Sequence, residues 1–483
     1  MNHSRFSLYK NELRSILAIG IPILISQLAQ MGMSITDVIM AGNVSAEDLA
    51  SVGIGSGIWI PVLLFITGII LITSTLIARH HGAKEHDRIR FTGQQAIWMG
   101  LIAGVMASLF CLKANWIVDL LSITPEIHEG AIQYMYGLAW GGPAAGLYLA
   151  LRNYCEGLSQ TRPVMIIMLV GLLANIPLNY IFIHGKFGLP AMGGAGCGLS
   201  SSLVTWLMAL LLVLHVKTDQ RYDNYAIFRQ FQRPRLRFQL GILAMGLPVG
   251  TAIFFEISLF SAMSLLVSKY GAVTLSSHEI ARSVSGAVFM VPLSIGMAIT
   301  VRSGYLLGNR NPRLAHISSM AGITMASVLA ITSFTLTIVF RENLASIYSD
   351  QIEVIRLAAY IMLFTAVFQF SDAIQVCSAG ALRACKDTKI PMVITFISYW
   401  VIGLPVGYLF AETNLIREPL GAPGYWLGAT AGLTVAAILL LARYLSISRR
   451  NIAKARAETE AETGTGSNTE NCKPDPPEEK NQA

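Results

Sequence analysis

The sequence predicts an all-α polytopic membrane protein with twelve transmembrane helices in two pseudo-symmetric six-helix lobes. Three observations lead to this prediction. Of the 483 residues, 53% are hydrophobic and only 13% are charged, which is about half the charged share of an ordinary soluble domain. Twelve apolar stretches of suitable length follow one another along the chain. The second half of the chain also repeats features of the first half at a nearly constant offset.

The apolar stretches match the length of membrane-spanning helices, which need about 20 mostly apolar residues. Barrel strands are excluded because the stretches are too long for them and do not alternate between apolar and polar residues. The predicted spans are 16–40, 49–78, 94–112, 131–151, 163–183, 194–216, 240–267, 279–301, 316–340, 357–381, 391–410 and 424–442.

The two halves share proline and glycine positions. The offset that pairs Gly82 with Gly308 is nearly the same as the offset that pairs Pro177 with Pro405. Because six spans return the chain to its starting side, the halves have the same topology and a pseudo-two-fold axis along the membrane normal. Two similar lobes around a cleft suit alternating access. The alternative is an ancient duplication without mechanistic meaning.

The chain divides into four predicted segments. Residues 1–216 form the first lobe, residues 217–239 a basic cytoplasmic linker and residues 240–453 the second lobe. Residues 454–483 are rich in Gly, Pro and Glu and cannot bury a core, so we expect a disordered cytoplasmic tail.

Basic residues set the expected orientation. Most Lys and Arg residues outside the spans lie in the N-terminal segment and in the even-numbered loops, and the basic side is the cytoplasmic side. Both termini are therefore expected in the cytoplasm. The linker holds the largest group, which is Lys217, Arg221, Arg229, Arg233, Arg235 and Arg237.

Three acidic residues lie well inside predicted spans: Asp37, Glu256 and Asp372. A charged side chain at the bilayer centre costs about 2.5–3.5 kcal/mol or more. The sequence places no Lys or Arg comparably deep, so these acids are candidates for binding a proton, a metal ion or a cationic substrate. The alternative is a protonated acid that is hydrogen-bonded to a neighbouring helix.

Aromatic residues flank two of these acids. Phe254 and Phe255 precede Glu256, and Phe368 lies one turn before Asp372. Aromatic faces bind lipophilic cations, so the three phenylalanines are candidates for lining a cavity. Aromatic side chains that face lipid or the core are the alternative.

A second polar group lies in the first half. Gln30 and Asp37 are seven residues apart and share one helix face. Asn175 and Asn179 are four residues apart around Pro177. Carboxylate and amide oxygens together suit a hard cation. Alternatively, the amides join neighbouring helices by hydrogen bonds.

Five stretches together resemble the MATE (multidrug and toxic compound extrusion) family, in its NorM branch, over nearly all of the chain except the tail. The matching stretches are 21–42, 175–182, 193–198, 248–256 and 382–389.

The resemblance implies a V-shaped, two-lobed antiporter that expels cationic or amphiphilic drugs in exchange for inward Na⁺ or H⁺. The family's functional acids correspond to Asp37, Glu256 and Asp372, and its first-lobe polar site corresponds to Asp37, Asn175 and Asn179. A Na⁺ ion would bind either at that polar site or at Glu256 and Asp372.

Two positions depart from some NorM-type members. Phe368 occupies a position where they carry Tyr, so a hydroxyl ligand is missing beside Asp372. Asn179 occupies a position where some relatives carry Asp. The first change favours protons, or a Na⁺ site in the first lobe.

The resemblance also implies a setting and partners. We expect a protein of a bacterial inner membrane that acts as a monomer, contacts lipids and drugs, and binds no nucleic acid. It needs no cofactor besides the coupling ion. The six cysteines are scattered and indicate neither a disulfide framework nor a zinc site.

Other functions fit less well. The second loop, residues 78–88, lacks the signature of a major-facilitator carrier. A flippase for an anionic lipid-linked sugar would line its cavity with basic residues. An intramembrane enzyme would need a paired Asp, HExxH or Ser/His motif, and ATP use a P-loop; the sequence contains none of these. We therefore expect a secondary transporter and not an enzyme.

Overall fold

The computed structural model describes residues 2–120, 123–229, 231–414 and 418–466. These ranges form helices joined by short loops and contain no strand. Eleven helical segments are long and apolar enough to cross a membrane. The prediction of an all-α protein with many membrane spans is therefore confirmed.

The first lobe and the start of the linker contain eight α-helices within the described ranges. In chain order they are α1 (Asn2–Gly42), α2 (Ala46–Gly82), α3 (His86–Lys113), α4 (Asn115–Asp119), α5 (Pro125–Ala139), α6 (Gly142–Gly157), α7 (Arg162–His184) and α8 (Ala195–Thr218). A 3₁₀ turn (Gln220–Tyr222) begins the linker.

The second lobe follows the same plan. Its α-helices in the described ranges are α9 (Leu236–Ser268), α10 (Ala272–Gly308), α11 (Pro312–Ser346), α12 (Ile352–Ala384), α13 (Lys389–Phe396), α14 (Leu404–Glu412) and α15 (Ala422–Gly466). Most of these helices extend beyond the predicted apolar stretches because their polar ends project from the hydrocarbon region.

The fourth predicted span is not one helix. It consists of α5 and α6, which are separated at Trp140 and Gly141. Pro143 has no N–H to donate to the carbonyl of Ala139, and this carbonyl instead accepts a hydrogen bond of 2.6 Å from Ser108 Oγ. The break accounts for eleven continuous spans where twelve stretches were predicted.

The eleventh predicted span contains a π-helical segment, Ile397–Gly403, between α13 and α14. Pro405 lies two residues after this segment and lacks one backbone donor. Such wide turns often occur at functional sites, and this one carries Tyr399 into the second lobe.

The predicted tail is wrong over its first part. α15 continues to Gly466, because residues 450–462 are rich in Ala, Glu, Lys and Arg, which favour helix. Lys454 and Glu458 lie one turn apart, with 3.9 Å between Nζ and Oε1. Residues 467–483 lie outside the described residues.

The internal repeat is visible where α2 crosses α10. A Cβ atom at Gly82 would collide with the carbonyl of Tyr305, and a Cβ atom at Gly308 would collide with the carbonyl of Arg79. The same sequence offset relates Gly82 to Gly308 and Arg79 to Tyr305. Since each contact maps onto its counterpart, the pseudo-two-fold axis passes between these two helix ends.

The lobes meet through α1, α2, α9 and α10, with α1 against α10 and α2 against both α9 and α10. At the linker end, Arg302 donates to both oxygens of Glu12 at 2.8 and 2.7 Å. This ion pair joins the two lobes at the linker end.

Candidate functional site

The first-lobe site is centred on Asp37, which is 8% exposed. Its Oδ1 accepts hydrogen bonds from Asn175 Nδ2 at 3.1 Å and from Asn179 Nδ2 at 2.6 Å. Its Oδ2 accepts one from Ser201 Oγ at 3.0 Å. No described Lys, Arg or His forms an ion pair with it. Asp37 is thus a buried acid held by neutral donors.

Three helices bring this group together. Asp37 lies on α1, Asn175 and Asn179 lie one turn apart on α7, and Ser201 lies near the start of α8. Asn179 Nδ2 also contacts Asn175 Oδ1 at 3.2 Å. The predicted association of Asp37 with the two asparagines is present. Ser201 was missed, since one serine among the three at 200–202 gives no signal of its own.

Gln30 does not join this group. It is half-buried on α1, and the structure gives it no hydrogen bond to Asp37 or to another described residue. Seven residues of helix place the two side chains on one face but about 10 Å apart along the axis. The shared face was predicted correctly, but it does not put the amide within reach of the carboxylate.

The first-lobe site contains oxygen atoms that can act as ligands for a hard cation or bind a proton. Asp37 provides two oxygens and Ser201 one, and Asn175 and Asn179 each carry an amide oxygen, although their amide nitrogens face Asp37 here. The side-chain oxygen of Asn179 is buried and has no hydrogen-bond partner. Oxygen-only ligands are preferred by hard cations, and rotation of an amide exchanges its N–H donor for its oxygen.

The second-lobe site contains Glu256 on α9 and Asp372 on α12. The two carboxyl groups are close enough for electrostatic interaction. Asp372 is 3% exposed, and its Oδ1 is buried without a hydrogen-bond partner. Glu256 is half-buried. Two neighbouring acids disfavour double ionisation, so this region favours a bound proton or cation.

Tyr399 and Gln375 border the second-lobe site and were not predicted. Tyr399 Oη donates to Gln375 Oε1 at 2.7 Å, and the ring is fully buried. The phenol lies within the electrostatic reach of both Glu256 and Asp372. The π-helical segment thus places a phenol hydroxyl near these acids, where it is hydrogen-bonded to Gln375. A local distortion of the helix cannot be read from hydropathy.

Arg383 corrects the prediction that no basic residue lies near the acids. The sequence placed Arg383 in the tenth loop, but α12 continues to Ala384. Its Nε is buried and has no hydrogen-bond partner, and its charge interacts with that of Glu256. The helix is longer than its apolar stretch, so a residue just past the apolar end still lies inside the lobe.

The three candidate phenylalanines lie in different surroundings. Phe254 is 46% exposed. The ring of Phe255 lies 5.0 Å from that of Phe396. Phe368 is buried, with its ring 5.8 Å from that of Phe260 and 5.7 Å from that of Trp426. The prediction that Phe368 lines a cavity is wrong, since its edge-to-face contacts belong to the core of the lobe.

Both halves of the chain match one protein family. The MatE family model matches residues 22–181 and 248–409, which are the two repeats. The chain belongs to the MatE family. The prediction made from the five matching stretches is confirmed, and both candidate sites contain residues inside the matched ranges.

Relatives in the MatE family are similar over nearly their whole length. The chain is 41% identical to the multidrug resistance protein MdtK of Photorhabdus laumondii, covering 90% of this chain and 95% of that protein. It is 39% identical to the multidrug resistance protein NorM of Photobacterium profundum, with the same coverage of 90% and 95%.

Solved MATE structures share the fold. A MATE structure in the bent conformation matches with a TM-score of 0.84 at 19% identity, covering 94% of this chain and 99% of that one. A eukaryotic MATE transporter matches with a TM-score of 0.83 at 18% identity, covering 93% and 99%. The V-shaped fold with two pseudo-symmetric lobes is therefore that of MATE transporters.

Proposed function

We propose that this protein is a secondary active multidrug antiporter, which exports cationic or amphiphilic drugs in exchange for inward Na⁺ or H⁺. The observation that carries the proposal is the buried Asp37 carboxylate, ligated only by Asn175, Asn179 and Ser201. A buried acid with neutral partners binds a small cation or a proton and releases it when its surroundings change. Its relatives are named multidrug resistance proteins.

In this proposal the two sites have different tasks. Asp37 and its three neutral partners take the coupling ion. Glu256 and Asp372 take the cationic drug, because their carboxyl groups have no hydrogen-bond partner among the described residues and the neighbouring Phe254 is exposed. An ion gradient drives transport only if ion and drug favour different conformations of the protein. Linkage then requires each to weaken the binding of the other by the same factor.

The proposed cycle moves residues 1–216 against residues 240–453. The closed end of the V carries the linker, the N-terminal part of α1 and the Glu12–Arg302 pair. The basic side is the cytoplasmic side, so this arrangement opens outward. Opening inward breaks the Glu12–Arg302 pair.

The test is drug efflux from vesicles in which Na⁺ and pH gradients are imposed separately. We expect one of the two gradients to drive accumulation of a fluorescent cation and the other to have little effect. Efflux of the cation with neither gradient, or no response to either, would contradict the antiport mechanism. In that case family membership and the membrane location still stand.

The orientation has its own test. A single cysteine in the linker, for example at Arg229, should react with a membrane-impermeant maleimide only from the cytoplasmic face. A cysteine at Thr413 should react only from outside. Labelling of the linker from outside would reverse the proposed direction of transport.

A further inference from the structure

Four exposed arginines of the linker have no acidic partner. Arg229, Arg233, Arg235 and Arg237 are all exposed, and none of them forms an ion pair with a described carboxylate. The sequence contains no Asp or Glu between Asp223 and Glu256. This stretch therefore holds a concentrated and uncompensated positive charge.

The linker backbone is fixed against α3. Trp98 Nε1 donates to the carbonyl of Gln232 at 3.0 Å, and Gln95 Oε1 accepts from the N–H of Arg235 at 2.9 Å. Gln94 Nε2 also donates to linker carbonyls. The linker backbone thus has a defined position, although it has little regular structure, and the guanidinium of Arg235 lies 5.1 Å from the centre of the Phe91 ring.

Aromatic residues lie beside this surface. The ring of Trp98 lies 5.6 Å from that of Phe231, and the ring of Phe91 lies 4.8 Å from that of Phe238. Trp concentrates at the level of lipid headgroups, and Trp98 is the interfacial residue type in this group. Leu236, at the start of α9, is 74% exposed. An apolar side chain so exposed among arginines suits the boundary between headgroups and acyl chains.

We propose that the surface formed by Arg229, Arg233, Arg235 and Arg237, here called the linker surface, binds the headgroup of an anionic phospholipid. Guanidinium groups bind phosphate oxygens in a bidentate manner, and clustered basic residues next to a membrane helix are typical of anionic lipid sites. Free phosphate offers the same charge but leaves Leu236 without an apolar partner. The inference rests on the proposed orientation, in which this edge meets the cytoplasmic leaflet.

Lipid retention by the purified full-length protein tests the proposal. Native mass spectrometry would count bound phosphatidylglycerol in a detergent titration, with phosphatidylcholine as the neutral comparison. The test variant changes the four arginines of the linker surface to glutamine. The control variant removes the same charge elsewhere on the proposed cytoplasmic side, at exposed positions of the second lobe: Arg310, Arg313, Arg449 and Arg450.

We expect wild type and control to retain phosphatidylglycerol in preference to phosphatidylcholine, and the test variant to bind it at least about tenfold more weakly. Equal retention by the test variant, or an equal loss in the control, would overturn the proposal. Displacement of the lipid by millimolar inorganic phosphate would show a phosphate site without lipid selectivity and would also overturn it.

Two additions keep the result interpretable. If the fourfold variant does not purify, Arg235→Gln with Arg237→Gln provides the same comparison at the start of α9. Replacement of the four arginines by lysine should give retention between those of wild type and the glutamine variant, because the charge remains but the bidentate contacts are lost. Retention is measured without drug or ion gradients, so its failure is distinct from a failure of the proposed antiport.

Discussion

In the first lobe the carboxylate of Asp37 accepts hydrogen bonds from three neutral side chains, whereas in the second lobe Asp372 has a buried oxygen without a partner. In the first arrangement, neutral polar side chains surround the carboxylate. The second is the pair Glu256 and Asp372, which lies near Tyr399 and Arg383. Two lobes with one ancestral plan therefore differ in the chemistry that they offer.

The repeat relation explains part of this difference. The offset that pairs Pro177 with Pro405 also maps Asn175 onto Gly403 and Asn179 onto Gly407. A Cβ atom at Gly407 would lie 3.2 Å from the Cα atom of Tyr425 on α15. In the second lobe these positions serve close helix packing, and in the first lobe they provide amides.

The acids also lie at non-equivalent positions of the two repeats. The offset that pairs Gly82 with Gly308 maps Asp37 onto Met263, which is buried in the core, and maps Gln30 onto Glu256. Duplication preserved the backbone, while the charged position moved along the corresponding helix. A search for symmetric ion sites in both lobes would therefore fail.

The largest expected effect comes from removing the first-lobe charge. Asp37→Asn keeps the shape but removes the negative charge and the titrating proton, so gradient-driven efflux should fall to background. Binding of a fluorescent cation at equilibrium should persist but lose its dependence on the coupling ion. The control is Asp87→Asn, at a side chain that is 92% exposed. Full efflux in the Asp37 variant would remove the basis of the assigned ion site.

Removing both second-lobe acids should weaken drug binding and leave ion binding in place. We expect Glu256→Gln with Asp372→Asn to weaken binding of the fluorescent cation by at least about tenfold. Binding of the coupling ion at Asp37, followed by isothermal titration calorimetry, should remain. Loss of ion binding together with unchanged drug affinity would mean that the roles of the two lobes are reversed.

Introducing the first-lobe residue into the second lobe should disturb packing. Gly407→Asn forces a side chain against α15 and should cost about 1–3 kcal/mol of stability, measured as a lower Tm in detergent. Gly57→Asn is the matched control, because a Cβ atom there would meet no described atom within 4 Å. An equal Tm for both variants would show that helix packing does not maintain the difference between the lobes.

A smaller effect is expected at Arg383. Arg383→Gln removes a positive charge that interacts with Glu256, so the affinity for a monovalent cationic drug should rise by about threefold. Arg383→Lys should behave like wild type in the same fluorescence titration. Weaker drug binding in the glutamine variant would instead indicate that Arg383 positions the acid.

The smallest effect concerns Ser201. Ser201→Ala removes one hydrogen bond to Asp37, worth about 0.5–1.5 kcal/mol, so affinity for the coupling ion should fall by about threefold in calorimetry. Ser200→Ala is a close control, since its hydroxyl is buried without a partner. If both variants bind the ion alike, Ser201 does not belong to the site.

Hydropathy predicted the helices well because each span must be apolar over the membrane thickness. The spacing of Asn175 and Asn179 predicted a shared helix face, and the structure brings both to Asp37. These features depend on local periodicity. The break at Trp140 was not predicted, because the apolar character continues across it while the backbone bonding does not.

Contacts between helices that are distant along the chain could not be predicted from the sequence. Ser201 and Tyr399 reach their sites because of how α8 and the π-helical segment are oriented. Arg383 was assigned to a loop because apolar stretches end before their helices do. Phe368 was assigned to a cavity, and only the packing of Trp426 shows that it belongs to the core.

The crossing of α2 and α10 has a mechanical consequence. Each glycine there admits a carbonyl of the other helix where a side chain would otherwise stand, so the two backbones approach closely and this crossing is a natural pivot. α2 has 37 residues and is therefore about 55 Å long. A rotation of α2 by about 10° around this crossing moves its far end by about 10 Å. A small rotation of α2 at one side of the membrane therefore produces a wide opening at the other side.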